Sequence, residues 1–240
     1  MMNILITNDD GIKSEGLQFL YKLLHRTHNV TVIAPLKEMS GCSHSITLRR
    51  RLKMKQISNG MYGVAGTPTD CIVLGVNSIL NEKPDLIISG INVGSNLGFD
   101  ITYSGTVGAA LEGAIHGIPS FAISITGHKN FEDTLEVILK LITSVKKNDI
   151  DSFFLNVNVP PEPKGMKITK LGKKSYQNVI TTHKSSYEIG GTAIHTLSDG
   201  ETDVEAIDNG YISITPISLD MVNYNIFKEL SSLNEDFENK

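Results

Sequence analysis

A short apolar run near the start of the chain constrains the fold more than any other feature of the sequence. It covers residues 4–6, Ile-Leu-Ile, and ends at Asn8 and at two adjacent carboxylates, Asp9 and Asp10. A continuous apolar run of this length is typical of a strand buried on both faces. Two carboxylates at the end of such a strand repel each other and lose hydrating water, so a cation between them is the arrangement that tolerates them best. The alternative is that they only begin a turn, with Gly11 allowing the backbone to reverse tightly.

Apolar runs alternate with stretches of helical periodicity along the first two thirds of the chain. Helical spacing from Ser14 to His28 is followed by a second apolar run, residues 30–34, which Pro35 ends. This order predicts a βαβ unit with a right-handed crossover, and therefore an α/β fold with a parallel sheet. No G-x-G-x-x-G pattern follows the first strand, which argues against a dinucleotide cofactor at that turn. Further strands are predicted over residues 86–89, 120–125, 153–159 and 211–215, a hairpin over 52–64, and helices over 67–80 and 131–145.

The composition excludes several classes of partner. The 240 residues include 22 Lys and Arg and 26 Asp and Glu, which gives a formal net charge of −4. This balance lacks the basic footprint of proteins that bind polymeric nucleic acid or a membrane surface. No apolar stretch has the length or flanking charge of a signal peptide or a transmembrane helix, so we expect a cytoplasmic protein. Cys42 and Cys71 lack the spacing of a metal or redox motif, and we interpret both as free thiols.

Four oxygen-bearing side chains follow predicted strands of the same sheet, although they lie far apart in the sequence. Because the carboxyl ends of parallel strands meet at one edge of a sheet, we expect these side chains to converge. An all-oxygen set favours Mg²⁺ or Mn²⁺ over zinc, with water and substrate in the remaining positions. The four residues are Asp9, Asp10, Ser40 and Asn92.

A second candidate site is the predicted start of a helix at Ser104-Gly105-Thr106. Free backbone N–H groups, two hydroxyls, a glycine that allows close approach and the positive end of the helix dipole together make a site for an anion. The alternative is a plain capping sequence. An oxygen-ligated divalent metal beside an anion site indicates phosphate chemistry.

Seven motifs in this chain resemble those of the survival protein E (SurE) family of 5′-nucleotidases. They are spread over most of the chain, and only residues 165–205 match loosely. The motifs are Ile-Thr-Asn-Asp-Asp-Gly-Ile (6–12), Ala-Pro followed by Ser-Gly-x-Ser-x-Ser-Ile-Thr (34–47), Gly-Thr-Pro-Thr-Asp-Cys (66–71), Ser-Gly-Ile-Asn with Asn96 and Asp100 (89–100), Tyr-Ser-Gly-Thr-Val-Gly-Ala-Ala-x-Glu-Gly (103–113), Asn-Val-Asn-x-Pro (156–160) and Thr-Pro-Ile-Ser-Leu-Asp (215–220).

The resemblance implies a single Rossmann-like domain over residues 1–240, with a mostly parallel sheet and helices on both faces. Residues 1–160 would form its core, and residues 161–240 a β-rich extension for oligomerisation with an arm and a terminal helix. It also implies one Mg²⁺ or Mn²⁺ ion per subunit. The implied metal ligands are Asp9, Asp10, Ser40 and Asn92, and the implied phosphate-binding residues are Asn96, Ser104, Gly105 and Thr106.

The implied activity is metal-dependent hydrolysis of nucleoside 5′-monophosphates, and of 3′-monophosphates as well. Asp9 and Asp10 are the candidate catalytic residues, since either carboxylate can accept a proton from the attacking water. One alternative is a phosphatase that forms an aspartyl-phosphate on another small phosphomonoester, although the Asp-x-Asp-x-Thr pattern of one such family is absent. A second alternative is a nucleotide-binding module without catalytic activity.

The last third of the chain is harder to interpret. Residues 167–209 are polar, with short strand-like pieces at 168–171 and 193–197 and no clear helix. Such pieces would expose unpaired edges if they projected alone, so we expect them to pair with another subunit in a homodimer or homotetramer. A last helix is predicted to bury its apolar residues, Val222, Ile226, Phe227 and Leu230.

Overall fold

The computed structural model describes residues 1–127, 129–147, 153–195 and 200–231. Its strands are β1 (Asn3–Thr7), β2 (Asn29–Pro35), β3 (Met54–Ser58), β4 (Met61–Val64), β5 (Leu86–Val93), β6 (Ser120–Ile125), β7 (Phe154–Val159), β8 (Met166–Ile168), β9 (Lys174–His183), β10 (Ser186–His195) and β11 (Ile212–Pro216). Its α-helices are α1 (Glu15–Leu24), α2 (Pro68–Leu74), α3 (Gly105–Ile115), α4 (Leu135–Lys147), α5 (Asp203–Asp208) and α6 (Tyr224–Leu230). Short 3₁₀ helices cover Gly98–Thr102 and Phe131–Thr134, and a π-helical segment covers Gly75–Ile79.

Nine of these strands form one mixed sheet in the order β3-β4-β2-β1-β5-β6-β7-β11-β8. The run from β4 to β7 is parallel throughout. β3 pairs antiparallel with β4, and β11 pairs antiparallel with β7. β1 therefore lies between β2 and β5, and the carboxyl ends of these three strands meet at one edge of the sheet. The predicted α/β fold with a mostly parallel sheet is confirmed.

The side chains of β1 alternate between hydrophobic cores on the two faces of the sheet. Ile4 and Ile6 lie in the core that α1 and α4 cover, together with Leu20 and Ile138 of those helices. Leu5 lies in the core that α2 and α3 cover. These five side chains are at most 2% exposed. Full burial of a side chain of this size contributes about 1.5–3 kcal/mol, so packing on both faces holds the central strand in place.

Residues at the predicted helix starts cap the helices that surround the site. Ser14 caps α1, and its side chain accepts the N–H of Leu17. Thr67 caps α2 in a capping box with Asp70. Ser104 caps α3. These three predicted helix starts are confirmed. They could be predicted because short-range hydrogen bonding determines each of them.

Two elements have bounds that differ from the prediction. α2 ends at Leu74 and continues as the π-helical segment Gly75–Ile79, where the periodicity predicted one helix to Leu80. β5 continues to Val93 instead of ending at Ser89, because its pairing with β6 shifts register between Ser89 and Asn92. A bulge of this kind bends a strand and changes the direction of the side chains that follow it.

The C-terminal part of the chain differs more from the prediction. β8 and β11 belong to the main sheet, whereas β9 and β10 form a separate antiparallel hairpin of two ten-residue strands. We call this hairpin, residues 174–195, the arm. The short strands expected at 168–171 and 193–197 overlap β8 and β10 only in part, and both are shorter than the strands of the arm. Residues 196–199 lie outside the described part of the chain. The expectation of no clear helix in residues 167–209 was wrong, because α5 lies there; its six residues are too few to show helical periodicity.

The last helix exists, but its apolar residues are not buried within the chain, so that prediction was wrong. Phe227 is 60% exposed and Leu230 is 55% exposed, and Val222 and Ile226 are exposed as well. Helical periodicity identifies an apolar face but does not identify what covers it. Within the described residues, no helix is long and apolar enough to cross a membrane.

Candidate active site

A cavity of about 470 Å³ opens where β1 and β5 end and α3 begins. The cavity brings together residues of four segments: the turn after β1, the loop after β2, the end of β5 and the loop that follows β5. The cavity lies beside the central strand, where parallel α/β sheets commonly bind their ligands. It is lined by Asp9, Asp10, Glu38, Ser40, Gly41, Asn92, Val93, Ser95, Asn96, Asp100, Tyr103 and Ser104.

The turn after β1 is shaped by Asn8, which is fully buried. Its side-chain amide donates to the carbonyl of Gly11 at 3.2 Å and to the hydroxyl of Ser14 at 2.6 Å, and its Oδ1 accepts the N–H of Gly11 at 3.1 Å. Gly11 has a φ of 97°, which favours glycine. Asn8 thus links the turn to the cap of α1 and presents the two Asp residues at the sheet edge.

Asp9 is held by the N-terminus of α3. Its Oδ2 accepts the backbone N–H of Thr106 at 3.1 Å, and its Oδ1 accepts the Thr106 hydroxyl. Asp9 is 4% exposed. Burial raises the pKa of its carboxyl, whereas the two bonds from Thr106 oppose that rise. Thr106 therefore fixes the position of Asp9 and favours its charged form.

Gly105 allows this close contact between the helix and the carboxylate. A Cβ atom at position 105 would lie 2.6 Å from the Sγ of Cys42 and 3.0 Å from the Cβ of Asp9. The anion at the N-terminus of α3 is thus Asp9, a residue of the chain itself. Neither Gly105 nor Thr106 is among the residues that line the cavity. In this structure Gly105 makes room for Asp9 and Thr106 holds it. The phosphate contacts predicted for these two residues stay a prediction.

Asp10 is less buried than Asp9 and lines the cavity. Burial, together with the negative charges of Asp9 and Glu38, raises the pKa of Asp10 to about 6. The N–H of Val93 opposes this rise by hydrogen bonding. Asp9, Asp10 and Glu38 thus share a site that no Lys, Arg or His of the described residues lines.

Ser40 donates its hydroxyl hydrogen to Glu38 Oε1 at 2.9 Å. With the proton directed to this carboxylate, the lone pairs of Ser40 Oγ are available to a ligand of positive charge. Partners of this kind orient a metal ligand and make its oxygen a better donor. Sequence reasoning selected Ser40 but missed Glu38, although it lies only two residues earlier in the same loop.

The loop that carries Ser40 is fixed to α3 and to the 3₁₀ helix before it. Ser43 donates its N–H to the carbonyl of Tyr103 at 2.9 Å and its hydroxyl to the carbonyl of Thr102 at 2.5 Å. His44 Nε2 lies 2.6 Å from Glu112 Oε2 of α3. The loop histidine therefore fastens the loop that lines the cavity.

Asn92 follows the bulge in β5 and reaches the cavity. Its amide nitrogen donates to the carbonyl of Gly94 at 2.8 Å. Since that bond orients the amide, the Oδ1 atom is the part of Asn92 available to a cation.

Asn96 is held more tightly than any other residue of the cavity. Its N–H donates to Asn158 Oδ1, and its carbonyl accepts from the amides of Asn156 and Asn158, all within 2.9 Å. Its own amide nitrogen donates to Ser124 Oγ at 2.9 Å. The predicted Asn-Val-Asn motif on β7 thus supports Asn96 from the neighbouring strands.

The cavity brings together the four predicted metal ligands and two of the four predicted phosphate-binding residues, Asn96 and Ser104. Sequence reasoning did not select three further residues that line it: Glu38, Asp100 and Tyr103. Asp100 and Tyr103 lie within or beside quoted motifs, but a motif does not show which of its side chains face a cavity. Their placement depends on the 3₁₀ helix Gly98–Thr102, which carries no periodic signal.

The charge of the cavity fits a cation. Four carboxylates line it, those of Asp9, Asp10, Glu38 and Asp100, and no Lys, Arg or His of the described residues does. No three His, Cys, Asp or Glu side chains of the described residues are grouped as a metal site by themselves. Amide and hydroxyl oxygens would therefore complete an oxygen-donor set, which is the set that suits Mg²⁺ or Mn²⁺.

Comparisons with known proteins agree in family and fold. A family model described as "Survival protein SurE" matches residues 4–178. A "5'/3'-nucleotidase SurE" of Wigglesworthia glossinidia brevipalpis is 44% identical, covering 99% of this chain and 98% of that protein. A "5'-nucleotidase SurE" of Aquifex aeolicus is 41% identical, covering 98% of this chain and 99% of that protein. A crystal structure of the SurE protein from Aquifex aeolicus superposes with a TM-score of 0.85 at 40% identity, covering 97% of this chain and 99% of that one.

Proposed function

The chain belongs to the survival protein SurE family, and from this membership we infer that it is a 5′-nucleotidase, an enzyme that hydrolyses nucleoside monophosphates to nucleoside and phosphate. The cavity supports this inference because it lies at the edge where parallel α/β sheets bind ligands and has polar groups suited to a small phosphorylated molecule.

We further propose that the activity depends on a divalent cation, and one observation carries this proposal. Four carboxylates and no described basic residue line the cavity. A phosphomonoester is a dianion near neutral pH, so the cavity alone would repel its substrate. A cation held by the carboxylates would reverse that repulsion.

The proposed ligands are Asp9, Asp10, Ser40 and Asn92. A divalent ion bound there would polarise the phosphoryl oxygens and lower the pKa of a water molecule. The chain itself prepares the ligands: Thr106 orients Asp9, Glu38 accepts a hydrogen bond from the hydroxyl of Ser40, and the bond to Gly94 orients the amide of Asn92.

Substrate contacts are assigned to residues that keep a free polar group toward the cavity. Ser104 Oγ accepts the N–H of Val107, which leaves its hydroxyl hydrogen to be donated to a phosphoryl oxygen. Asn96 is rigid because its backbone and its amide nitrogen are all engaged. A rigid polar residue of this kind stabilises the charge that develops on the phosphoryl group without reorganising during the reaction.

Between the two catalytic candidates, we assign proton transfer to Asp10. Both oxygens of Asp9 already accept hydrogen bonds from Thr106, whereas Asp10 is more exposed and faces the cavity. The same hydrogen bonds make Asp9 a poor nucleophile, which argues against an aspartyl-phosphate intermediate on Asp9.

We propose that 3′-monophosphates are also substrates, supported by the name of the 44% identical relative, a 5′/3′-nucleotidase. The cavity is open toward solvent, and Tyr103 at its edge is 69% exposed. An open site of this kind places few restraints on which ribose position carries the phosphate.

Phosphate release from a panel of 5′- and 3′-nucleoside monophosphates, in Mg²⁺ and in Mn²⁺, tests the proposed function. Turnover of 5′-monophosphates is the expected result, with the Asp10→Asn variant at least about 100-fold slower. Nucleotide binding without turnover by the wild-type protein would leave only a binding module. Acid quenching during turnover of a radiolabelled substrate should trap no phosphorylated protein.

We also propose that the protein is a homodimer or homotetramer. Ile180, Tyr187 and Ile189 of the arm are each at least 63% exposed, and the arm pairs with no other described strand. α6 adds a second exposed apolar surface. Apolar surfaces of this kind on a projecting hairpin and a terminal helix are typical of contacts between subunits.

A further inference from the structure

Asp203 is a buried carboxylate that the proposed chemistry does not use. It is the first residue of α5, in the C-terminal extension, and it is 0% exposed. A buried carboxylate is costly unless hydrogen bonds or a counter-charge compensate for the lost water. Burial raises the pKa of Asp203, and the backbone groups that donate to it oppose the rise.

Three backbone N–H groups from three separate segments donate to this one side chain. Oδ2 accepts from Gly98 at 2.8 Å, and Oδ1 accepts from Gly172 at 2.7 Å and from Val204 at 2.9 Å. Gly98 begins the 3₁₀ helix that follows Asn96 and contains Asp100. Gly172 lies two residues before the arm. A single carboxylate therefore connects the loop that lines the cavity with the base of the arm.

The surroundings leave little freedom to this connection. A Cβ atom on Gly172 would lie 3.0 Å from Asp203 Oδ1 and 2.8 Å from a methyl group of Val204. Gly98 is buried with a φ of 55°. The backbone of Asp203 is also fixed, because its N–H donates to the carbonyl of Lys170 at 2.9 Å.

We propose that Asp203 is a positioning residue for substrate binding: by holding the N–H of Gly98, it sets the course of the loop from Asn96 to Asp100 against the cavity. Asn96 is fixed from one side by β7, and Asp203 fixes the segment two residues later from the other side. The proposed metal ligands all precede this loop. Loss of Asp203 should therefore affect substrate affinity more than metal affinity.

Asp203→Asn is the direct test, because an amide has one acceptor oxygen where the carboxylate uses two. If the amide oxygen keeps the hydrogen bonds from the N–H groups of Gly172 and Val204, the NH₂ group faces the N–H of Gly98. Two donors then face each other, and the hydrogen bond from Gly98 is lost. The matched control is Thr202→Ala, which removes the side-chain cap of α5 without touching Gly98.

The kinetic part of this test rests on the proposed function. We expect Asp203→Asn to raise the KM for a nucleoside monophosphate at least about 10-fold, with an unchanged dependence on Mn²⁺ concentration, whereas Thr202→Ala stays within about 2-fold of wild type. An unchanged KM in Asp203→Asn would overturn the proposal, and so would an equal rise in both variants.

Amide hydrogen exchange gives a readout that needs no activity. In the wild-type protein, the amides of Gly98 and Gly172 should be protected to a similar degree, because one side chain holds both. In Asp203→Asn, exchange at residues 97–100 should be at least about 10-fold faster, and in Thr202→Ala it should be unchanged. An unprotected Gly98 amide in the wild-type protein would refute the proposal even if the variant failed to fold. If the wild-type protein showed no turnover, the proposed function would fail and these exchange rates would decide the role of Asp203.

Discussion

Asp9 shows how a single residue is prepared for function before any ligand binds. Both of its oxygens accept hydrogen bonds from Thr106, and Gly105 allows the helix to lie against it. Charge-assisted bonds of this kind contribute about 1.5–3 kcal/mol each. The carboxylate is thus held in one orientation at the sheet edge.

The hydroxyl of Thr106 should therefore matter for activity although it does not reach the cavity. Thr106→Val keeps the shape of the side chain and the backbone N–H bond to Asp9 but removes the hydroxyl's hydrogen bond to Asp9. We therefore expect kcat/KM to fall at least about 10-fold, equivalent to about 1.4 kcal/mol. Thr106→Ser keeps the hydroxyl and serves as the matched control. Similar activities for the two variants would show that the bond to Asp9 is not needed.

Asp10 should make the metal-free protein less stable above pH 6. Its pKa is about 6 in the folded chain and 3.8 in the reference state, so the folded protein binds the proton more tightly. Its unfavourable contribution is complete above pH 6 and is lost as the pH falls below 3.8, where the carboxyl is protonated in both states.

Thermal unfolding in EDTA measures this effect. At pH 7.5, Asp10→Asn should have a higher Tm than the wild-type protein, because the variant removes a buried charge beside Asp9 and Glu38. The difference should shrink as the pH is lowered from 7.5 to 5. A variant that is less stable than wild type at pH 7.5 would show that Asp10 is not destabilising.

The sequence predicted the metal-binding candidates better than the residues that support them. Asp9, Asp10 and Asn92 could be found because each follows an apolar run that is readily recognised as a strand. Glu38 could not be found in this way, since its role depends on the conformation of a loop. The bonds from Thr106 to Asp9 could not be predicted either, because a helix start predicts an anion but does not say that the anion belongs to the chain.

At the scale of elements, the first half of the chain could be predicted and the C-terminal extension could not. Strands buried on both faces appear as continuous apolar runs, and the helices on them show an apolar stripe. The arm lacks both signals because, over residues 179–191, the side chains on both of its faces are exposed. Its strands were therefore underestimated in length.

The arm offers a test of assembly. Ile189 and Glu188 are neighbours on β10 and face opposite sides of the hairpin, since side chains alternate along a strand. If the apolar side forms a contact between subunits, Ile189→Lys should lower the mass measured by light scattering, whereas Glu188→Lys should not. A monomeric wild-type protein would end the proposal, and equal masses for all three proteins would place the contact elsewhere.

At the scale of the whole molecule, strand order determines where the site lies. The chain passes from β1 to β2 on one side and later returns to β5 on the other side of β1. A crevice forms at the carboxyl ends of strands where the order reverses in this way, and ligands bind there. The apolar runs could predict a parallel sheet with its polar residues at one edge, but they do not encode the order of the strands or the bulge that places Asn92.

We propose that this acidic cavity hydrolyses phosphomonoesters only with a divalent cation bound. Phosphate release from a nucleoside 5′-monophosphate should be measured after exhaustive chelation, with the removal of metal verified by elemental analysis, and again after Mn²⁺ or Mg²⁺ is added back. We expect chelation to abolish activity and either ion to restore it, with no restoration in Asp9→Asn or Asp10→Asn. Undiminished turnover by the metal-free wild-type protein would contradict it.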